Sequence, residues 1–235
     1  MTATADLWHH YGRTRAERDR AVPDAFHWAW SQDGGPGCEV LGDLTGRVVG
    51  DLGAGAARHA AHLAVHHEPA VIVAVDASPA QYEMATDLFG HLAPRLRIAS
   101  SDAVPHLQAA KGAKATKSGY DVLYSVFGAV DFTDPRELLP AAAAALKPGG
   151  RLVFSTLAHY ANGAAPQPDL VAADVPAKTP EGETASLRRW VLQEQVWVKA
   201  LDEAGFTNIA VDRLPARSNG PRAAVTLLVT ADRQR

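Results

Sequence analysis

The chain has 235 residues, 47% of them hydrophobic and 21% charged, with a formal net charge of -3. That length suits one α/β domain with an added cap, and that balance supports a packed core and excludes a disordered chain. Interspersed charge of this sign offers no basic field for a phosphate backbone, and no run approaches the ~20 apolar residues of a membrane span, so neither nucleic acid nor membrane is an expected partner.

The single cysteine, Cys38, has no disulfide or C-x-x-C partner, which points to a reducing, cytoplasmic compartment and to a role as small apolar filler. Residues 1–11 lack the apolar region of a signal peptide. Residues 4–20 are predicted as a helix carrying Leu7, Trp8 and Tyr11 on one side and a solvated charge run behind them. An aromatic stretch at 26–30 and a flexible, glycine-rich 33–37 follow, so residues 1–46 read as a helical N-terminal cap whose aromatics serve either as core or as the roof of a pocket.

From residue 47 apolar runs alternate with helical stretches. Strands are expected at 47–51, 71–75, 95–99, 120–126 and 150–156, and helices at 55–67, 78–89, 102–110 and 134–146. Asp134, Pro135 and Glu137 form a helix N-terminal signature. Residues 111–119 read as a polar loop, and 158–185, rich in proline, glycine and acids without a period, as a lid-like insertion. A helix at 186–204 and an antiparallel pair of strands near 206–214 and 222–231 close the chain. The expected fold is α/β: a doubly wound, mostly parallel seven-stranded sheet with an antiparallel C-terminal strand, occupying residues 47–235.

In such a sheet ligands bind beyond the carboxyl ends of the strands. The first strand ends in Asp51 and a turn containing Gly53 and Gly55, which is the outline of a nucleotide-binding turn, with a tight turn without a ligand as the alternative. The second ends at Asp76, placed to accept from ribose hydroxyls, and the third is followed by Asp102, which could instead cap the next helix. A dinucleotide motif would put its third glycine at Arg58, no P-loop triplet occurs, and carboxylates at the strand ends would repel a pyrophosphate.

The run Asp51-Leu52-Gly53-Ala54-Gly55-Ala56-Ala57 resembles the acid-x-G-x-G-x-G motif of class I S-adenosylmethionine-dependent methyltransferases, with alanine at the third glycine. The resemblance continues through 73–79, 101–102, 120–125 and 146–152, and covers about residues 40–232. It implies S-adenosyl-L-methionine as cofactor and S-adenosyl-L-homocysteine as product. It also implies Gly53 and Gly55 against the methionyl part, with Asp51 near its amino group. Asp76, with Ala77 beside it, would hold the ribose, Asp102 and Ala103 the adenine, and Ser125 the methionyl site. Tyr11 or Trp8 would fold over the cofactor.

Methyl transfer from a sulfonium needs a base only when the acceptor must lose a proton. His159, which follows the fifth strand, is the preferred candidate, with Tyr160, Asp131 and His27 as others. His59, His62 and His66 recur at helical spacing without an evident third ligand, which reads as a solvent-facing stripe and no metal site. The expected function is metal-independent methylation at O, N or C of a small molecule such as a natural-product intermediate, by a monomer or homodimer. The alternative is a methyltransferase-like protein that binds a ligand or partner without catalysis.

Overall fold

A computed structural model describes residues 6–110, 119–216 and 223–234. The expected polar loop therefore lies almost wholly outside the described residues, as does the tip of the final strand pair. Nine strands and seven α-helices are described among these residues.

Seven strands form one sheet in the order β3 (Leu96–Ser100), β2 (Val71–Asp76), β1 (Val48–Leu52), β4 (Tyr120–Val126), β5 (Leu146–Leu157), β9 (Thr226–Arg233) and β8 (Phe206–Leu214). The first five are parallel; β9 runs antiparallel to both β5 and β8. Both faces are covered. On one, α4 (Ala103–Ala110), α6 (Pro135–Ala145) and α7 (Glu194–Glu203) pack Leu107, Leu139, Trp197 and Leu201 against Leu123, Leu152, Phe154 and Val229. On the other, α2 (Arg58–His66), α3 (Pro79–Phe89) and the N-terminal extension pack Leu63, Phe89, Phe26 and Trp28 against Val49, Ile72, Tyr124 and Val153. Continuous apolar runs such as Val71 to Val75 are what a strand buried on both faces requires.

Helix starts follow the local chemistry. The Ser78 hydroxyl accepts from Gln81 N and Pro79 opens α3; Asp134 accepts from Arg136 N and Pro135 opens α6. Chain order reverses between β1 and β4, and the crevice beyond their carboxyl ends is the ligand position of a doubly wound sheet.

Four readings change. Among the described residues of 4–20 only α1 (Arg13–Arg18) is α-helical, because residues 7–12 are turns held by tertiary contacts. β5 begins at Leu146, four residues before the start expected at residue 150. The insertion is folded: β6 (Ala173–Lys178) and β7 (Thr184–Arg189) form a separate antiparallel hairpin. The first residues of the expected final helix are that second strand, and α7 begins only at Glu194. Alternating exposure along β7 (Ala185, Leu187 and Arg189 inward) is a strand period that the flanking apolar residues hid.

Candidate functional site

The floor of the crevice is the turn after β1. Gly53 N and Ala54 N both donate to Val75 O, at 2.9 and 3.0 Å, tying the turn to the end of β2. Gly53 has φ +76°, and a Cβ there would sit 2.2 Å from Ala129 N. A Cβ on Gly128 would in turn sit 2.5 Å from the carbonyls of Leu52 and Gly53. Two backbones are thus in direct contact where the strand order reverses, so Gly53 is required by the β4 turn as well as by any ligand. Gly55, at φ +54°, has open space, its nearest neighbour being Gln81 Oε1 at 3.5 Å. Ala57, where the related motif has its third glycine, is also left-handed, at φ +56°; alanine there costs about 1 kcal/mol.

Asp76 ends β2 with both oxygens engaged: Oδ2 accepts from Gly55 N at 2.7 Å and Oδ1 from Ser78 N at 2.9 Å. Each carboxylate oxygen has a further lone pair to offer. Burial raises its carboxyl above the ordinary range against those two hydrogen bonds. Ala77 is exposed beside it, Asp102 is exposed at the end of β3, and Ala103 is buried at the start of α4.

Asp51 is buried beneath the turn and accepts from the Tyr124 hydroxyl at 2.9 Å, its lateral neighbour on β4. Burial pushes its carboxyl up to about 7, with nearby Asp76 adding to the rise and Tyr124 opposing it. Ser125 is also buried: its hydroxyl donates to Leu52 O at 2.7 Å and accepts from Val130 N. Phe127, which follows, has φ +48°. An aromatic residue in that region is a strained exception of the kind that gathers at functional sites.

The N-terminal segment lies across this floor. Asp6 Oδ2 accepts from Ser78 Oγ at 2.8 Å and Ala80 N at 3.1 Å, an anion at the α3 N-terminus. Gln81 Nε2 donates to the carbonyls of Trp8 and Tyr11. The Trp8 ring packs edge-on against Phe132 of α5 (Ala129–Phe132), 4.6 Å between centroids, whereas Tyr11 is 61% exposed. Of the two aromatics expected to roof the cleft, Trp8 is the one turned inward. His10 Nε2 lies 2.7 Å from Pro180 O, so the segment also meets the tip of the β6–β7 hairpin.

A second wall joins three distant parts of the chain. Asp131 of α5 is fully buried and pairs with Arg189 of β7, whose Nε donates to Oδ2 at 3.1 Å and whose Nη2 donates to the same oxygen. The guanidinium lies over the rings of Trp30 and Phe132, 5.4 and 5.3 Å from their centroids. Burial raises the Asp131 carboxyl, opposed by Arg189. Among the described residues the buried hydroxyls of Ser155 and Tyr160 have no hydrogen-bond partner, while the Thr156 hydroxyl stands against the Asp131 carboxylate and helps to lower its pKa. Such orphaned groups at the end of β5 are binding capacity that the protein itself does not satisfy. Leu157, Tyr160, Val191 and Ala224, with Trp30 and Phe127 against them, make the adjoining apolar wall.

The candidate bases are not brought together. His159 Nδ1 is 3.0 Å from Tyr160 O, and its Nε2 accepts from Val225 N at 3.3 Å. A carbonyl only accepts, so Nδ1 carries the proton and backbone occupies both ring nitrogens. His27 is half-buried on the α2 side, next to His59.

Sequence reading missed Arg189, Phe132, Gln81 and Asp6, whose roles arise from long-range contacts; Trp30 belongs to the aromatic stretch read as core or roof. Gly128 carried a usable signal, a glycine just past a strand end. The histidine stripe is corrected for two of its three members: His62 is 5% exposed and His59 is held by burial down to about 4, whereas His66 is exposed. Among the described residues no helix is long and apolar enough to cross a membrane.

A family model described as a methyltransferase domain matches residues 38–211. Among solved structures, the chain is similar to a Burkholderia thailandensis 1,6-didemethyltoxoflavin-N1-methyltransferase with bound 1,6-didemethyltoxoflavin and S-adenosylhomocysteine (19% identity, 81% of this chain, 72% of that chain, TM-score 0.53). It is also similar to an S-adenosylmethionine-dependent methyltransferase from Mesorhizobium loti (19% identity, 83% of this chain, 94% of that chain, TM-score 0.56). A third is the geranyl diphosphate C-methyltransferase of Streptomyces coelicolor, solved with Mg2+, geranyl-S-thiolodiphosphate and S-adenosyl-L-homocysteine (13% identity, 82% of this chain, 72% of that chain, TM-score 0.58). At these identities the likeness is one of fold. No curated protein sequence matches the chain.

Proposed function

The chain belongs to the methyltransferase-domain family, and from that premise we propose that it transfers the methyl group of S-adenosylmethionine to a small molecule. The observation that carries the reading is the pairing of Asp76 with the Gly55 amide at the strand-order reversal, with the exposed Asp102 at the next strand end. Asp76 offers its remaining lone pairs to the ribose, Asp102 and Ala103 flank the adenine, and Gly55, with no side chain and open space, lies against the methionyl part. Asp51 and Ser125 support that part from below, and Trp8 covers it. When bound, the cofactor supplies an activated methyl group.

The acceptor is read as small because Trp8, the hairpin and the Trp30–Arg189–Phe132 stack roof the crevice. Its polar groups meet the orphaned hydroxyl of Tyr160, and its apolar part meets Trp30 and Phe127. With His159 engaged by backbone, catalysis rests chiefly on holding the acceptor atom in line, an effect worth up to ~7–11 kcal/mol in well-oriented systems. The reading includes no metal in the transfer step, a natural-product type of acceptor and a cytoplasmic setting, the last supported by the lone cysteine.

The test is a melting curve. A ligand of the folded state at a hundred times its Kd adds about 2.7 kcal/mol, roughly 5–10 °C for a chain of this size. S-adenosylhomocysteine should give that shift and Asp76→Ala should remove most of it; no shift at millimolar ligand overturns the reading. Incubation with methyl-labelled cofactor and small-molecule extract then separates the enzyme, which yields a new labelled mass, from a ligand-binding protein, which yields none.

A further inference from the structure

A second cluster lies away from the crevice and has no part in methyl transfer. Cys38 opens a 3-10 turn, Cys38–Leu41, and His67 follows the last residue of α2. That helix spans nine residues from the glycine turn, so its far end is removed by about 13 Å. Cys38 Sγ lies 3.0 Å from His67 Nε2, and with His62 the three offer ligand atoms all within 4.8 Å of one another. His62 Nδ1 lies 2.7 Å from Pro23 O. A carbonyl only accepts, so Nδ1 carries the proton and Nε2 keeps a free lone pair, the arrangement of a metal-ligating imidazole with a backbone partner behind it.

We propose that Cys38, His62 and His67 bind one zinc(II) ion, with water in the fourth position. A thiolate with two imidazoles is a donor set that zinc accepts. Bonds of ~2.3 Å to sulfur and ~2.0–2.1 Å to nitrogen at tetrahedral angles place sulfur and nitrogen about 3.6 Å apart. The present 3.0 Å therefore opens by about half an ångström, a movement the half-buried Cys38 turn can make. Loading releases the Cys38 thiol proton to solvent as the sulfur–metal bond forms. The ion fastens the extension, through Cys38 and through the Pro23 carbonyl on His62, to α2. A hydrogen bond from Cys38 to His67 explains that one contact but not the placing of a buried histidine beside both.

The full-length protein, reduced and stripped with a chelator, is titrated with cobalt(II). The expected result is saturation at one equivalent, a near-ultraviolet thiolate-to-cobalt charge-transfer band, tetrahedral d–d bands, and displacement of all of them by zinc. Cys38→Ser should abolish the charge-transfer band and weaken zinc retention at least tenfold, and zinc should raise the melting temperature of the wild type by several degrees more than that of the variant. Folded wild type without a charge-transfer band overturns the proposal, as does equal zinc retention by a folded Cys38→Ser protein. If the variant does not fold, the wild-type cobalt spectrum decides alone.

Discussion

Asp51 sits where ionisation is costly, and the cost can be read as a pH dependence. Its carboxyl is 2% exposed, and burial raises it from the ordinary 3.8 to about 7. That gap, at 1.36 kcal/mol per pH unit, sets an upper bound of roughly 4 kcal/mol. Because the folded-state value is the raised one, the native chain keeps a proton that the unfolded chain releases between about pH 4 and 7. The contribution is therefore complete below pH 4 and lost as pH rises through 7. Asp51→Asn keeps the shape and an acceptor for Tyr124 but does not titrate. His59, held down to about 4, works in the opposite sense, since its burial as a neutral ring costs stability as pH falls below 6.5. Both proteins share that term, so the difference between their curves reports Asp51 together with its coupling to Asp76. Urea unfolding at intervals from pH 4.5 to 8.5 should show the variant gaining on the wild type by 2–4 kcal/mol across the window. Parallel curves would refute the assignment of a buried, proton-holding Asp51.

Two glycines of the same turn should behave unequally. Gly53→Ala meets Ala129 N at 2.2 Å and should cost at least 3 kcal/mol, measured by denaturation. Gly55→Ala meets only Gln81 Oε1 at 3.5 Å, an ordinary contact, and should cost only about 1 kcal/mol while weakening S-adenosylhomocysteine in calorimetry; equal losses would contradict the backbone contact. Arg189→Ala strands a buried Asp131 and should lower stability by about 3–5 kcal/mol, and Arg189→Ala/Asp131→Ala should recover part of it. Trp8→Ala should leave the melting temperature of the free protein within a few degrees but reduce cofactor affinity about tenfold, by isothermal titration.

The sheet was legible because its signals are local and periodic. Val71 to Val75 can only be a doubly buried strand, and Asp134-Pro135 marks its helix start unaided. The site was legible where the backbone makes it: the glycine turn, Asp76 and Asp102 stand at strand ends whose spacing the alternation already dictates. It was illegible where side chains cross between elements. Arg189 lies 58 residues from Asp131 and 159 from Trp30 in sequence, and nothing local distinguishes it from the neighbouring Arg188. The histidines misled for a related reason, since helical spacing shows which residues share a face and not which face meets the extension. Cys38 looked solitary because its neighbours, His62 and His67, arrive from another element.

The contact of Gly53 with Gly128 divides the molecule's freedom unequally. Where two backbones touch with no side chain between them, the strands cannot spread, and neither position admits another residue. The roof is a composite of an N-terminal segment, a hairpin and one arginine, none of them a strand of the sheet, and the arginine is replaceable only together with its partner Asp131. A lineage carrying this architecture can therefore exchange its acceptor by remodelling the roof while the floor passes unchanged between descendants.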